Sequence, residues 1–109
     1  MSQSAQAPRR VLVVGRSDRE GVLAAARRLP ADGLMICIDG DRHAAARAVA
    51  TFEREGLGRR VSVMVGEPAL FLRKVAGPFE LILASGMAGI DLAEDLRAKL
   101  TPGGRILDL

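Results

Sequence analysis

The stretch Val11-Leu-Val-Val-Gly-Arg-Ser-Asp-Arg-Glu-Gly21 decides the fold. Its first four residues form an uninterrupted apolar run, which is typical of a strand buried on both faces of a sheet. Gly15 follows at once, and a glycine there lets the backbone turn tightly and approach a ligand. Ser17 and Glu20 then have the spacing of a helix capping box. The stretch therefore predicts a strand, a tight turn and a helix in succession.

The same alternation continues along the chain. Further apolar runs that predict strands lie at Leu34–Ile38, Val61–Val65, Leu81–Ala84 and Arg105–Leu109. Ser62 lies between two valines of the third run, so that strand is predicted to be a more exposed edge. The order βαβαβαβαβ with short connections predicts an α/β protein. We expect a doubly wound, Rossmann-like three-layer sandwich with five mainly parallel strands in the order 3-2-1-4-5.

The residues between the predicted strands have the spacing of amphipathic helices. Asp41 is placed to cap a long second helix, and Gly56 is placed to end it. Pro68 follows Glu67 at the start of a third helix, where proline is tolerated. A fourth helix, ended by the turn residues 101–104, is predicted from the spacing of Leu92, Leu96 and Leu100.

Composition limits the classes of protein. Hydrophobic residues make up 49% of the 109 residues, which suffices for one domain, predicted at 10–109 after a disordered N-terminal tail at 1–9. No apolar run approaches the ~18 residues that cross a bilayer. No secretory signal pattern precedes the first strand, so we expect a cytoplasmic protein. A single cysteine, Cys37, and a single histidine, His43, argue against disulfides and metal sites.

The small excess of basic over acidic residues gives little indication of nucleic-acid binding. The net charge is +3, and the chain has three phenylalanines but no tryptophan or tyrosine. Without a basic helix or an aromatic ladder, we expect no specific nucleic-acid partner.

The carboxyl ends of the strands are the place to look for a site, because doubly wound sheets bind ligands where the strand order reverses. The start of the helix after Gly15 offers free N–H groups to a carboxylate or phosphate. Ser17 and Glu20 stand where a dinucleotide fingerprint needs glycines, so that fingerprint fails. The candidate cofactor-binding residues are Gly15, Arg16, Ser17, Asp39, Gly40, Gly66, Glu67 and Ser85.

Asp39 is the strongest individual candidate. A carboxylate at the end of the second strand has paired acceptors for both hydroxyls of a ribose. Its alternative role is that of a turn residue beside Gly40. Glu67 has two roles open to it, an adenine contact or an acid of the first helical turn. Met87 lines the pocket mouth or serves the loop, and no catalytic base is evident.

These segments together resemble class I S-adenosylmethionine-dependent methyltransferases, especially small-molecule O-methyltransferases of the catechol and caffeoyl-CoA type. The resemblance spans about residues 11–109 and is carried by VLVVGRSDREG, ICIDGDRHAAARA, GLGRRVSVMVGEP, GPFELILASG and LTPGGRILDL. It implies S-adenosylmethionine as cofactor and a small-molecule substrate. The loop from Gly15 to Gly21 would wrap the methionine part, Asp39 would bind the ribose, and Glu67 would lie near the adenine.

The chain departs from the family pattern in its loops. Val13 stands where the first strand usually has an acid, and Ser17 and Arg19 stand where the loop normally has glycines. Ser85 replaces the aspartate of metal-dependent members, so no metal site is expected. These departures keep open an alternative, a non-catalytic dimeric module that kept the fold and lost the cofactor site.

The fifth strand is expected to be a sheet edge, because the last strands of the full methyltransferase fold are not present. Ile106, Leu107 and Leu109 would leave that edge apolar, which predicts a homo-oligomer formed through it. A receiver domain of the response-regulator type is a third possibility. Gly15 and Gly66 argue against it, since a receiver needs acidic residues at the corresponding strand ends.

Overall fold

The computed structural model describes residues 7–86 and 91–109. The predicted alternation of strands and helices is confirmed. The predicted tail at 1–9 falls mostly on residues outside the described ranges, so the proposed domain boundaries stay a prediction. The elements are β1 (Arg10–Val14), α1 (Glu20–Arg27), β2 (Leu34–Asp39), α2 (Arg42–Arg54), β3 (Val61–Val65), α3 (Pro68–Leu72), β4 (Phe79–Ala84), α4 (Ala93–Arg97) and β5 (Leu100–Asp108).

One sheet contains all five strands, in the order β3-β2-β1-β4-β5, and every neighbouring pair is parallel. The predicted order and strand direction are confirmed. β1 lies at the centre, where Val13 stands opposite Cys37 of β2 and Leu83 of β4. Because all strands run the same way, the loops that follow them leave at one edge of the sheet.

The core has two apolar layers, one on each face of the sheet. Val11 and Val13 pack in a cluster with residues of α1 and α2, whereas Leu12 and Val14 pack in a cluster with residues of α3 and α4. None of these four side chains is more than 1% exposed. Alternate residues of a strand point to opposite faces, so burial on both sides requires the continuous apolar run seen in the sequence.

The capping of α2 is as predicted. The carboxylate of Asp41 accepts hydrogen bonds from the backbone N–H groups of His43 and Ala44, at 2.9 and 3.2 Å. At the other end, Gly56 has a φ of 74°, and the N–H of Leu57 donates to the carbonyl of Phe52. These contacts satisfy backbone groups that a helix leaves free at its ends.

The capping box predicted for α1 is wrong. The N-cap residue is Arg19, and no side chain caps the helix. The hydroxyl of Ser17 donates instead to the carboxylate of Asp39, at 2.6 Å. Ser17 therefore bonds the buried carboxylate at the end of β2, and not the helix backbone that the local spacing predicted as its partner.

The boundary between α4 and β5 also differs from the prediction. α4 ends at Arg97, and Leu100 belongs to β5, which begins five residues before the predicted start. Leu100 pairs with Phe79, and the next paired residue of β5, Arg105, lies opposite Leu81. The four residues between them form a bulge, so the turn-forming sequence interrupts the strand instead of preceding it.

Both outer strands have exposed apolar residues. On β3, Ser62 is exposed and Val65 is 47% exposed, which agrees with the predicted edge. On β5, Leu107 is 41% exposed. Association through β5 stays a prediction. The described residues contain no helix long and apolar enough to cross a membrane.

We expect Leu12→Ala to lower the free energy of unfolding by about 3 kcal/mol, because it removes most of a fully buried side chain and leaves a cavity in the core. Leu70→Ala is the matched control, since Leu70 is 59% exposed and should cost less than about 0.5 kcal/mol. Urea denaturation followed by circular dichroism measures both. Equal losses in the two variants would contradict the assignment of Leu12 to the core.

Candidate functional site

The strand ends meet around β1, where the sheet order reverses. The N–H of Gly15 donates to the carbonyl of Ile38, and the N–H of Ser85 donates to the carbonyl of Val14, both at 3.0 Å. The N–H of Gly66 donates to the carbonyl of Asp39, also at 3.0 Å. The first residues after β1, β3 and β4 are therefore held in register with the strands beside them. These bonds fix where the loops leave this edge of the sheet, which we call the crevice.

Gly15 and Ser85 occupy one small volume at the centre of the crevice. Gly15 has a φ of +128°, and a Cβ atom built on it would lie 1.8 Å from the Oγ of Ser85. Both the backbone conformation and the lack of space require glycine at this position. The Ser85 side chain covers the face of Gly15 that a side chain would otherwise fill.

Ser17 and Asp39 form a buried pair across the loop. The Oδ2 atom of Asp39 accepts from the N–H of Ser17 at 2.9 Å and from its hydroxyl at 2.6 Å. The Oδ1 atom accepts from the N–H of Asp41 at 2.8 Å. Asp39 and Ser17 are each 1% exposed. One carboxylate thus joins the β1–α1 loop to the β2–α2 loop.

A second ion-pair group holds the same loop from outside. Asp18 accepts from the guanidinium groups of Arg16 and Arg47, with shortest distances of 3.1 and 2.8 Å. The hydrogen bond from Arg16 is the main reason that the pKa of Asp18 lies below its usual value, and the bond from Arg47 lowers it further. Arg47 belongs to α2, so this group ties the loop to a second helix. The side chain of Arg16 remains 42% exposed.

Gly66 and Glu67 lie at the end of β3. An ideal Cβ atom on Gly66 would lie 1.8 Å from a ring carbon of Phe71. The ring of Phe71 therefore takes the space beside Gly66, and the ammonium of Lys74 lies 5.6 Å from the ring centroid. Glu67 is exposed and makes no side-chain capping bond to α3.

The thiol of Cys37 has the surroundings of a structural residue. Cys37 is fully buried in β2, and burial raises the pKa of its thiol to about 12. Such a thiol is a small hydrophobe and a poor nucleophile. Within residues 7–86 and 91–109, no three histidine, cysteine, aspartate or glutamate side chains come close enough to hold a metal ion.

Most of the chain matches the sequence model of one protein family. A sequence model described as O-methyltransferase matches residues 4–84, about three quarters of the chain. The chain belongs to the O-methyltransferase family. The match includes the loops after β1, β2 and β3 and ends one residue before Ser85. No curated protein matches the chain in sequence.

Solved structures share the fold of this O-methyltransferase-family chain. The O-methyltransferase TomG of Streptomyces achromogenes, in complex with SAM and involved in tomaymycin synthesis, has 22% identity and a TM-score of 0.85, with 94% of this chain and 49% of that chain covered. An O-methyltransferase of Bacillus cereus in complex with SAH has 23% identity and a TM-score of 0.85, with 94% and 50% covered.

A structure with a different activity in its name is also similar. The precorrin 8w decarboxylase of Methanobacterium thermoautotrophicum has 28% identity and a TM-score of 0.75, with 90% of this chain and 52% of that chain covered. The chain spans about half the length of these solved relatives.

The structure brings all eight predicted cofactor-binding residues of this family member to one edge. Gly15, Arg16, Ser17, Asp39 and Ser85 surround the end of β1, and Gly40, Gly66 and Glu67 follow the ends of β2 and β3. Their cofactor contacts stay predictions. Met87 lies outside the described residues.

Sequence reasoning missed three residues of this edge. Asp18 and Arg47 fix the β1–α1 loop, and Phe71 covers Gly66. An arginine on the exposed face of α2 has no local feature that pairs it with an aspartate 29 positions earlier. Phe71 lies in the helix that follows Gly66, but no local sequence pattern shows that its ring lies against that glycine.

We expect Gly66→Ala to destabilise the fold by about 1–3 kcal/mol, because the new methyl group would overlap the ring of Phe71. Gly40→Ala is the matched control, since its nearest neighbour would be 3.7 Å away. Adding Phe71→Leu to Gly66→Ala should recover part of the loss. Urea denaturation measures all three, and an unaffected Gly66→Ala variant would contradict the close contact.

Acid should weaken the anchoring of the loop through Asp18. Its pKa in the folded protein is lowered, so the charged form stabilises the fold above the usual value of 3.8. That contribution is lost as the pH falls through the folded pKa. We expect Asp18→Asn to be less stable than the unsubstituted chain at neutral pH, with the difference closing below pH 3.8.

The test is urea denaturation over a pH series. Asp32→Asn is the control, because the Asp32 side chain is 67% exposed and lies 3.7 Å from Arg9. It should show a small difference at every pH. A difference for Asp18→Asn that stayed constant on acidification would show that its charge does not stabilise the loop.

Proposed function

We propose that this chain binds S-adenosylmethionine in the crevice at the carboxyl end of the sheet and supports methyl transfer to an oxygen atom of a small molecule. Membership of the O-methyltransferase family is the observation that carries the proposal. Two solved relatives of the same fold are complexes with SAM and SAH. The crevice lies where doubly wound sheets bind their ligands, beside the end of β1.

The side chains at this edge fit the charges of that cofactor. S-adenosylmethionine has a sulfonium cation, and Asp41 and Glu67 give the exposed part of the crevice negative charge. Its carboxylate needs a cationic or N–H donor. The guanidinium of Arg16 donates two hydrogen bonds to Asp18. Because 42% of the side chain is exposed, its other N–H groups can take that role.

The protein's part in such a transfer is positioning. A bound S-adenosylmethionine supplies an activated methyl group, and an acceptor oxygen must lie in line with it. The loop after β1 would fix the methionine part. Ser85 follows the neighbouring strand β4 and lies beside Gly15 at the start of that loop.

We expect calorimetric titration with S-adenosylmethionine and S-adenosylhomocysteine to show binding of both. Arg16→Ala should weaken binding about tenfold, the loss of one charge-assisted hydrogen bond. Arg59→Ala is the control, because Arg59 is exposed and lies before β3, at the opposite edge of the sheet.

Two results would count against the proposal. Equal affinity in the two arginine variants would remove Arg16 from the site. No binding of either ligand, confirmed by the lack of a thermal shift, would favour the alternative that the chain is a module with a methyltransferase fold and no cofactor site.

A further inference from the structure

We propose that β3 and the adjoining side of α2 form the contact surface between two copies of this chain. The two β3 strands would pair antiparallel about a two-fold axis at Val63, so that the two five-stranded sheets join into one. Because the axis reverses the strand direction, the two crevices would open at opposite ends of the joined sheet. The proposal does not depend on cofactor binding.

The backbone of β3 has an unpaired side that fits a second copy of itself. The N–H of Gly66 donates to the carbonyl of Asp39, in line with the parallel pairing of β3 and β2. Alternate residues of a parallel strand bond to the same neighbour, so Val61, Val63 and Val65 direct their N–H and C=O groups away from β2. An antiparallel copy centred on Val63 would place Val61 opposite Val65 of the copy. Each facing pair could then exchange two hydrogen bonds.

The sequence of β3 lacks the features that keep edge strands apart. Natural edges are commonly blocked by proline, by charged side chains or by a bulge. From Val61 to Val65 the strand has none of these, and its register with β2 is regular. The other outer strand, β5, contains Pro102 and is interrupted by a bulge. A second copy therefore fits β3 better than it fits β5.

An apolar groove lies between the edge of β3 and α2. Its apolar lining consists mainly of Ala46, Val49 and Ala50 of the helix and Val63 and Val65 of the strand. Val49 is 38% exposed and Val65 is 47% exposed, and pairing of two copies would remove both from water.

The size of these side chains suits a second helix beside α2. Neighbouring strands lie about 4.8 Å apart, and α2 contacts both β2 and β3. The α2 helices of two paired copies would therefore lie about 10 Å apart on one face of the joined sheet. Helices pack at about 8–10 Å when small side chains such as alanine form the contact.

Charges at the ends of α2 favour the same antiparallel arrangement. Arg42 lies in the first turn of the helix and Glu53 in the last, and both line the groove. Both are exposed, and neither forms an ion pair with another of the described residues. The two-fold axis would bring Arg42 of each copy to Glu53 of the other. Parallel helices would place like charges side by side instead.

Sedimentation velocity over a range of protein concentrations tests the association. We expect the unsubstituted chain to form a dimer. Val65→Lys should stay monomeric at concentrations where the unsubstituted chain is dimeric, because it places a charge inside the apolar contact. Leu107→Lys is the matched control, since Leu107 is 41% exposed on β5 and its substitution should leave the dimer intact.

Charge reversal tests the placement of the two helices. Arg42→Glu and Glu53→Arg should each raise the dissociation constant of the dimer about tenfold, because attractive contacts become repulsive. The double variant restores opposite charges and should regain the affinity of the unsubstituted chain. Arg97→Glu is the control, since it makes the same change at an exposed arginine of α4, on the other face of the sheet.

The outcomes separate this surface from the other faces of the molecule. A monomeric unsubstituted chain would overturn the proposal. So would a dimer that Leu107→Lys dissociates, which would form through β5, or one that neither lysine variant dissociates. A double charge variant as weak as the single ones would contradict the antiparallel helices. If circular dichroism shows that Val65→Lys does not fold, the charge variants decide, because they change only exposed residues of α2.

Discussion

The carboxylate of Asp39 is almost fully removed from water, so it must find its hydrogen-bond donors inside the protein. It finds them in two loops, at Ser17 and at Asp41. These bonds bring the end of β2 against the loop that follows β1. The position of the β1–α1 loop depends on this buried carboxylate, together with the ion pairs that Asp18 makes with Arg16 and Arg47.

The sheet determines which loops meet. β1 is covered on both faces and has parallel neighbours on both sides, so its exit loop lies between those of β2 and β4. The family match covers the chain from residue 4 to the end of β4, which is the part that builds this edge. Membership of the O-methyltransferase family and the position of the candidate site therefore rest on the same segments.

The sequence predicted the strands, most of the helices and the order of the sheet, because local patterns of apolar and turn-forming residues determine them. The apolar runs predicted the strands, the doubly wound topology predicted their order in the sheet, and Asp41 with Gly56 marked the ends of α2. Two patterns misled. The spacing of Ser17 and Glu20 indicated a cap, but a buried acid 22 residues away competes for the serine. The turn-forming residues 101–104 indicated the end of a helix, but they form a bulge inside β5.

The sequence predicted where the candidate residues lie but not their contacts. The rule that ligands bind at the carboxyl ends of strands selected the edge at which these residues come together, and their contacts with a cofactor stay a prediction. The sequence could not show that the carboxylate of Asp39 accepts hydrogen bonds from Ser17 and Asp41. Nor could it show that the ring of Phe71 fills the space beside Gly66. Both facts depend on contacts between residues whose side-chain directions are set only after the sheet has assembled.

The shared volume of Gly15 and Ser85 has a consequence for evolution and for engineering. The two residues come from different strands and are far apart in the sequence, yet there is room for only one side chain between them. A smaller residue at position 85 would relieve this overlap but not the backbone strain, because Gly15 has a φ of +128°. We therefore expect glycine at position 15 whichever residue stands at position 85. A β1–α1 loop transplanted from another member of the family would have to keep this glycine.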